Sequence, residues 1–113
     1  VAWLEDERLM DAVTGVSGSG PAYVFLVIES LTQAGVDMGL SRELSAELAV
    51  TTVAGAGALA LGAEVDAAEL RRRVTSPGGT TEAALGVLMG DNGLVELMTE
   101  AVRVATERGR ELA

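Results

Sequence analysis

The residues best suited to chemistry in this 113-residue sequence run from Thr75 to Thr81, Thr-Ser-Pro-Gly-Gly-Thr-Thr. Pro77 stiffens the approach, and Gly78 and Gly79 permit backbone conformations closed to residues with a side chain. An apolar helical pattern follows at once. The N–H groups of Gly79, Thr80 and Thr81 then stand at a helix N-terminus, where they lack partners within the helix and the dipole favours an anion. Hydroxyls on Ser76, Thr80 and Thr81 supply further hydrogen bonds. Two readings fit these residues: a small anion pocket that selects by geometry, or a plain helix-capping loop.

A second glycine-rich segment, Gly15-Val-Ser-Gly18-Ser-Gly20, superficially resembles a dinucleotide fingerprint. That motif needs a preceding strand and G-x-G-x-x-G spacing. Here the preceding residues pattern as a helix, and the third glycine position counted from Gly18 is Tyr23. Nucleotide binding is rejected at this spot, so no residue of the chain is assigned to a cofactor. A tight corner between helices is favoured over direct ligand contact.

Composition closes off several chemistries. No cysteine or histidine is present, which excludes disulfide scaffolds, thiol catalysis, Ser-His relays and ordinary zinc sites. No carboxylate-rich calcium loop occurs either, so no metal is expected. The net charge of −9 opposes a phosphate backbone, and nucleic acid is not an expected partner. The one basic cluster, Arg71-Arg72-Arg73, suits the solvated last turn of a helix. Leu48–Ala63 is the longest uncharged stretch, but Thr51, Thr52 and three glycines interrupt it. It falls short of the roughly 20 strongly apolar residues of a membrane span. With no secretory signal, a cytoplasmic protein is expected. The start at Val1, not Met, points to an excised domain.

The elements that must position the loop are helices. About half the residues are apolar but only 3% are aromatic, so a core would consist of Ala, Val, Leu and Gly. The chain is long enough for one domain, spanning residues 1–113. A first helix is predicted over about Glu5–Val16, with a break at Ser17–Gly20. The next covers about Pro21–Val36, with Val24, Val27, Ile28, Leu31, Ala34 and Gly35 on one stripe. Gly39 closes the turn, and Ser41 caps a long helix to about Leu61. From Val50 to Leu61 that helix carries no charge on any face and must be covered all round, which calls for a second subunit. Gly55 and Gly57 would admit a close backbone. Asp66-Ala-Ala-Glu69 resembles a capping box for a short helix ending near Val74. A helix over Thr81–Met89, a turn at Asp91-Asn92-Gly93 and a last helix to about Leu112 complete the chain. No segment reads as a strand.

Asp11–Tyr23 (Asp-Ala-Val-Thr-Gly-Val-Ser-Gly-Ser-Gly-Pro-Ala-Tyr) and Thr75–Thr81 together resemble the two signature segments of pyrroline-5-carboxylate reductase. Their order, their separation and the Ala-rich helix between them are similar too, so the resemblance spans nearly the whole chain. It implies an all-α fold, a helical dimerisation domain resembling the C-terminal domain of 6-phosphogluconate dehydrogenase-like reductases. It also implies the last step of proline biosynthesis, in which hydride passes from NADPH or NADH to the C5=N imine carbon of 1-pyrroline-5-carboxylate. The cofactor would be held by an N-terminal Rossmann domain that this chain lacks, leaving the chain inactive alone. The partner would be a second copy, with higher oligomers in some members. Carried over by position, Ser76 and the Gly78-Gly79-Thr80 backbone would hold the substrate carboxylate, and Thr81 would hydrogen-bond the ring nitrogen as the catalytic residue. Glu64 falls where the family tends to have a glutamate near the active site, although Val65-Asp66 stands where many relatives have His-Pro. A solvated loop carboxylate is its other reading.

Two rival readings fit the sequence. One is a non-catalytic helical oligomerisation module that has kept the fold. The other is the helical domain of a different hydroxyacid or imine dehydrogenase. Those usually rely on a helix-borne Lys, and this chain has none.

Overall fold

The computed structural model describes residues 7–113. Glu5 and Asp6, expected in the first helical turn, lie outside the described residues. Six α-helices and one π-helical turn are described: α1 (Glu7–Val13), the π turn (Thr14–Gly18), α2 (Gly20–Asp37), α3 (Arg42–Gly62), α4 (Ala67–Arg73), α5 (Thr80–Leu88) and α6 (Leu94–Leu112). No strand occurs among the described residues, and the fold is all-α. The chain forms two compact units, one from the segments Val1–Pro21 and Thr75–Ala113, the other from Ala22–Val74.

In the first unit, α1 and the π turn pack on α6. The expected break at Ser17–Gly20 is not a break. The N–H of Ser19 donates to the Thr14 carbonyl at 3.0 Å, widening the turn, and Ser19 itself stays in right-handed helical backbone before α2 starts. Gly15 is there for packing. It is buried, and a Cβ on it would lie 2.7 Å from Thr106 Oγ1 and 3.2 Å from the Val102 carbonyl of α6. A corner needs a residue that ends the helix, and neither Gly18 nor Gly20 leaves helical backbone. Pro21 sits in the first turn of α2, where its missing N–H costs nothing.

The second unit turns on the contact of α2 with α3. Gly39, at φ 104°, ends α2 in a left-handed cap: its N–H donates to the Val36 carbonyl at 3.0 Å, and that of Leu40 to Gly35 at 3.0 Å. Ser41 then accepts from the Leu44 N–H at 3.2 Å and starts α3 as expected. Beyond this turn Ser45, buried, donates its hydroxyl to the Thr32 carbonyl at 2.8 Å. Gly35 faces Ser45 and leaves no room for a Cβ. Asp66 caps α4 by accepting from the Glu69 N–H at 2.9 Å. The capping box is only half formed, because the Glu69 carboxylate pairs with Arg72 and Arg73. The arginine run occupies the exposed last turn of α4, as its charge at a helix C-terminus favours.

Little of the apolar content is covered within the chain. Ala49 is the one buried hydrophobic residue among those described, whereas Phe25 is 63% exposed, Leu59 69% and Leu61 91%. An added Cβ at Gly55 or Gly57 meets nothing within 4 Å among the described residues. The helical runs Leu9–Asp37 and Arg42–Gly62 are long and apolar enough to cross a membrane by length and composition. This corrects the expectation drawn from the interrupted uncharged stretch. The continuous helix through Gly18 lengthens the first run, and the second reaches back from Leu48 to Arg42. A helix covered by another protein chain passes the same test, and α3 carries Arg42, Glu43 and Glu47 within its length.

Candidate functional site

The loop before α5 is built from a tight turn at Ser76–Gly79. Pro77 occupies its second position and Gly78 its third, with φ 72°, a left-handed value that favours glycine. The turn closes through the Gly79 N–H, which donates to the Ser76 carbonyl at 3.0 Å. One of the three amides expected to face an anion is therefore already engaged. Gly79 is the N-cap of α5, which starts at Thr80, a residue earlier than predicted, and Gly79 has no side chain with which to cap. Thr80 and Thr81 consequently form the first two helical positions, and no side chain caps their amides. Gly78 differs again: its N–H donates to Glu82 Oε1 at 3.2 Å.

Ser76, Thr80 and Thr81 are exposed, as are Gly78 and the head of α5 around them. The structure thus brings Ser76, Gly78, Gly79, Thr80 and Thr81 into one turn. Hydroxyl and amide donors gather there at the positive end of a helix, with no cation among them. That arrangement can hold a small anion by direction and dipole. A hydroxyl at its edge can orient a neighbouring polar atom without acting as a strong acid. Glu64 does not belong to this turn. It is an exposed residue of the second unit, in the link between α3 and α4.

Glu82 is the residue that reading the sequence overlooked. It lies three positions after the N-cap, the spacing of a capping box, but a glycine N-cap hides the pattern because the motif is recognised by a hydroxyl or carboxylate at that place. The other glycine-rich segment offers no comparable loop. Thr14–Gly18 is helical and Gly15 is sealed against α6, so neither a strand-to-helix turn nor an exposed row of amides exists there.

Comparison with known proteins fits this geometry. Residues 7–112 match the family described as pyrroline-5-carboxylate reductase dimerisation. A pyrroline-5-carboxylate reductase of Pseudomonas aeruginosa is 53% identical over 111 residues, covering 98% of this chain and 40% of that protein. The structure of a pyrroline-5-carboxylate reductase from Coxiella burnetii superposes with a TM-score of 0.91 at 43% identity, covering 97% of this chain and 40% of the other. The crystal structure of Plasmodium falciparum pyrroline carboxylate reductase with NADP bound gives 0.85 at 41% identity, covering 91% and 39%. The chain thus spans about two fifths of the length of the relatives it matches. With the match running over both the Ser-Pro-Gly-Gly-Thr-Thr turn and the exposed apolar helices, the chain belongs to the pyrroline-5-carboxylate reductase dimerisation family.

Proposed function

We propose that this chain is the dimer-forming and substrate-holding part of a reductase that converts 1-pyrroline-5-carboxylate to L-proline. The observation that carries the reading is the Ser76–Thr81 turn: left-handed Gly78, an N-cap without a side chain, and exposed hydroxyls at the head of α5. The substrate is a small anion with an imine nitrogen. Its carboxylate suits the Thr80 amide, the Ser76 hydroxyl and the helix dipole, while the Thr81 hydroxyl meets the ring nitrogen. Gly78 and Gly79 shape the turn, and their own N–H groups have partners within it. Thr81 orients the imine and hydrogen-bonds the nitrogen as it becomes an amine, a task that needs position more than acidity.

A nicotinamide cofactor, NADPH or NADH, supplies the hydride when bound by the N-terminal domain of a full-length reductase. The Gly15–Gly20 run does not fit it, being helical and packed on α6. Glu64, an exposed residue of the α3–α4 link, is proposed to contribute to substrate binding on the family resemblance alone. The second protomer is proposed to cover the apolar sides of α2 and α3, on which Phe25, Leu26, Leu59 and Leu61 are all exposed.

Substitution of Thr81 by Ala in the full-length protein tests the reading. Loss of one directed hydrogen bond is expected to lower kcat/KM for pyrroline-5-carboxylate about tenfold. An unchanged value removes Thr81 from the mechanism.

A further inference from the structure

We infer that Glu82 is a positioning residue for the substrate turn, an inference that rests on the functional reading above. Its carboxylate accepts the Gly78 N–H and so holds the one residue of the loop in left-handed backbone. With the Gly78 and Gly79 amides both occupied, the Thr80 and Thr81 amides are left as the donors that face an incoming carboxylate. The contact also sets which way the Ser76-Pro77 segment, and its hydroxyl, is presented.

The same chain contains a second copy of this backbone device, and the copy separates capping from function. At the head of α6, the turn Gly90–Gly93 is closed by the Gly93 N–H donating to the Gly90 carbonyl at 3.0 Å. Its third residue, Asn92, is left-handed at φ 59°. The Asn92 N–H donates to Glu96 Oε2 at 3.0 Å, and Gly93 is the N-cap. Ser-Pro-Gly-Gly-x-x-Glu and Gly-Asp-Asn-Gly-x-x-Glu therefore fold alike at the backbone. What differs is the content of the first turn: Thr80-Thr81 at α5 against Leu94-Val95 at α6. The glutamate serves both helices as a clamp, but only at α5 does it hold a turn that carries polar groups for a ligand. Being anionic, Glu82 also opposes a second negative charge nearby. Its value to binding is then geometric and not electrostatic.

The experiment compares Glu82→Ala, Glu82→Gln and Glu96→Ala in the full-length protein, by steady-state kinetics and thermal unfolding. Glu82→Ala is expected to raise KM for pyrroline-5-carboxylate about threefold to tenfold, the size of a lost cap, with kcat little changed. Glu82→Gln, which keeps an acceptor oxygen and drops the charge, is expected to bring KM back to the unaltered value or below it. Glu96→Ala is expected to lower Tm about as much as Glu82→Ala without moving KM. If Glu82→Ala does not fold, Glu82→Asp, charged but too short to reach Gly78, takes its place with the same expected rise. The inference is overturned if KM is indifferent to Glu82 while Thr81→Ala impairs the enzyme, or if Glu96→Ala raises KM equally. Indifference to both Glu82 and Thr81 overturns the functional reading itself.

Discussion

Replacing Gly35 by Ala sets helix propensity against packing, and the structure decides the sign. In an unconstrained helix interior the change stabilises by about 1 kcal/mol. In α2, however, the new Cβ collides with the Ser45 hydroxyl and would stand 3.1 Å from Ser45 Cβ and 3.3 Å from Leu40 Cδ1. Ser45 is 3% exposed and Thr32 8%, so neither can swing into solvent. Either α3 moves away or Ser45 rotates and abandons the Thr32 carbonyl. Overpacking of this kind costs about 1–3 kcal/mol, and a lost buried hydrogen bond about 1 more. Set against the propensity gain, the expected outcome is a net destabilisation of about 1–3 kcal/mol. The assay is denaturant unfolding followed by circular dichroism, at one fixed protomer concentration because assembly contributes to apparent stability. Ser45→Ala removes the colliding oxygen, so the double variant should lose less than the sum of the two single changes. A Gly35→Ala protein as stable as the parent, or additive behaviour with Ser45→Ala, refutes the packing described for α2 and α3.

Two further predictions concern assembly and charge. Gly57→Leu is expected to weaken self-association about tenfold or more while leaving helical content intact; light scattering and circular dichroism on the same samples check both halves. Arg103 bridges Glu100 and Glu107 on α6, and its hydrogen bond to Glu100, aided by its charge, holds that carboxyl below the ordinary value. The stability this provides is present above the unfolded carboxyl's pKa and is lost as pH falls through the lowered one. Glu100→Gln should therefore be slightly less stable than the parent at neutral pH and indistinguishable from it in strong acid. The difference should shrink with added salt, since the pair is exposed.

Much of the candidate site could be read directly from residue types. Pro77 and Gly78 at the second and third places of a turn require a left-handed glycine, and the apolar pattern after Thr81 requires a helix there. Ser41 and Asp66 announced their caps for the same reason: the chemistry lies within three residues of itself. Glu82 escaped notice because a glycine N-cap carries no side-chain signal, although its partner is only four residues away.

The sequence by itself determined where the helices lie, because periodicity and capping are local, and it determined that α3 would need more cover than one small chain provides. Only the tertiary structure decided what the glycines do. Gly15 is pressed against Thr106, near the other end of the chain, and Gly35 against Ser45, across the turn between α2 and α3. For that reason the segment through Gly18 stays helical where its composition suggested a corner. A glycine that bends the backbone and one that admits a neighbour look identical until the neighbour is known.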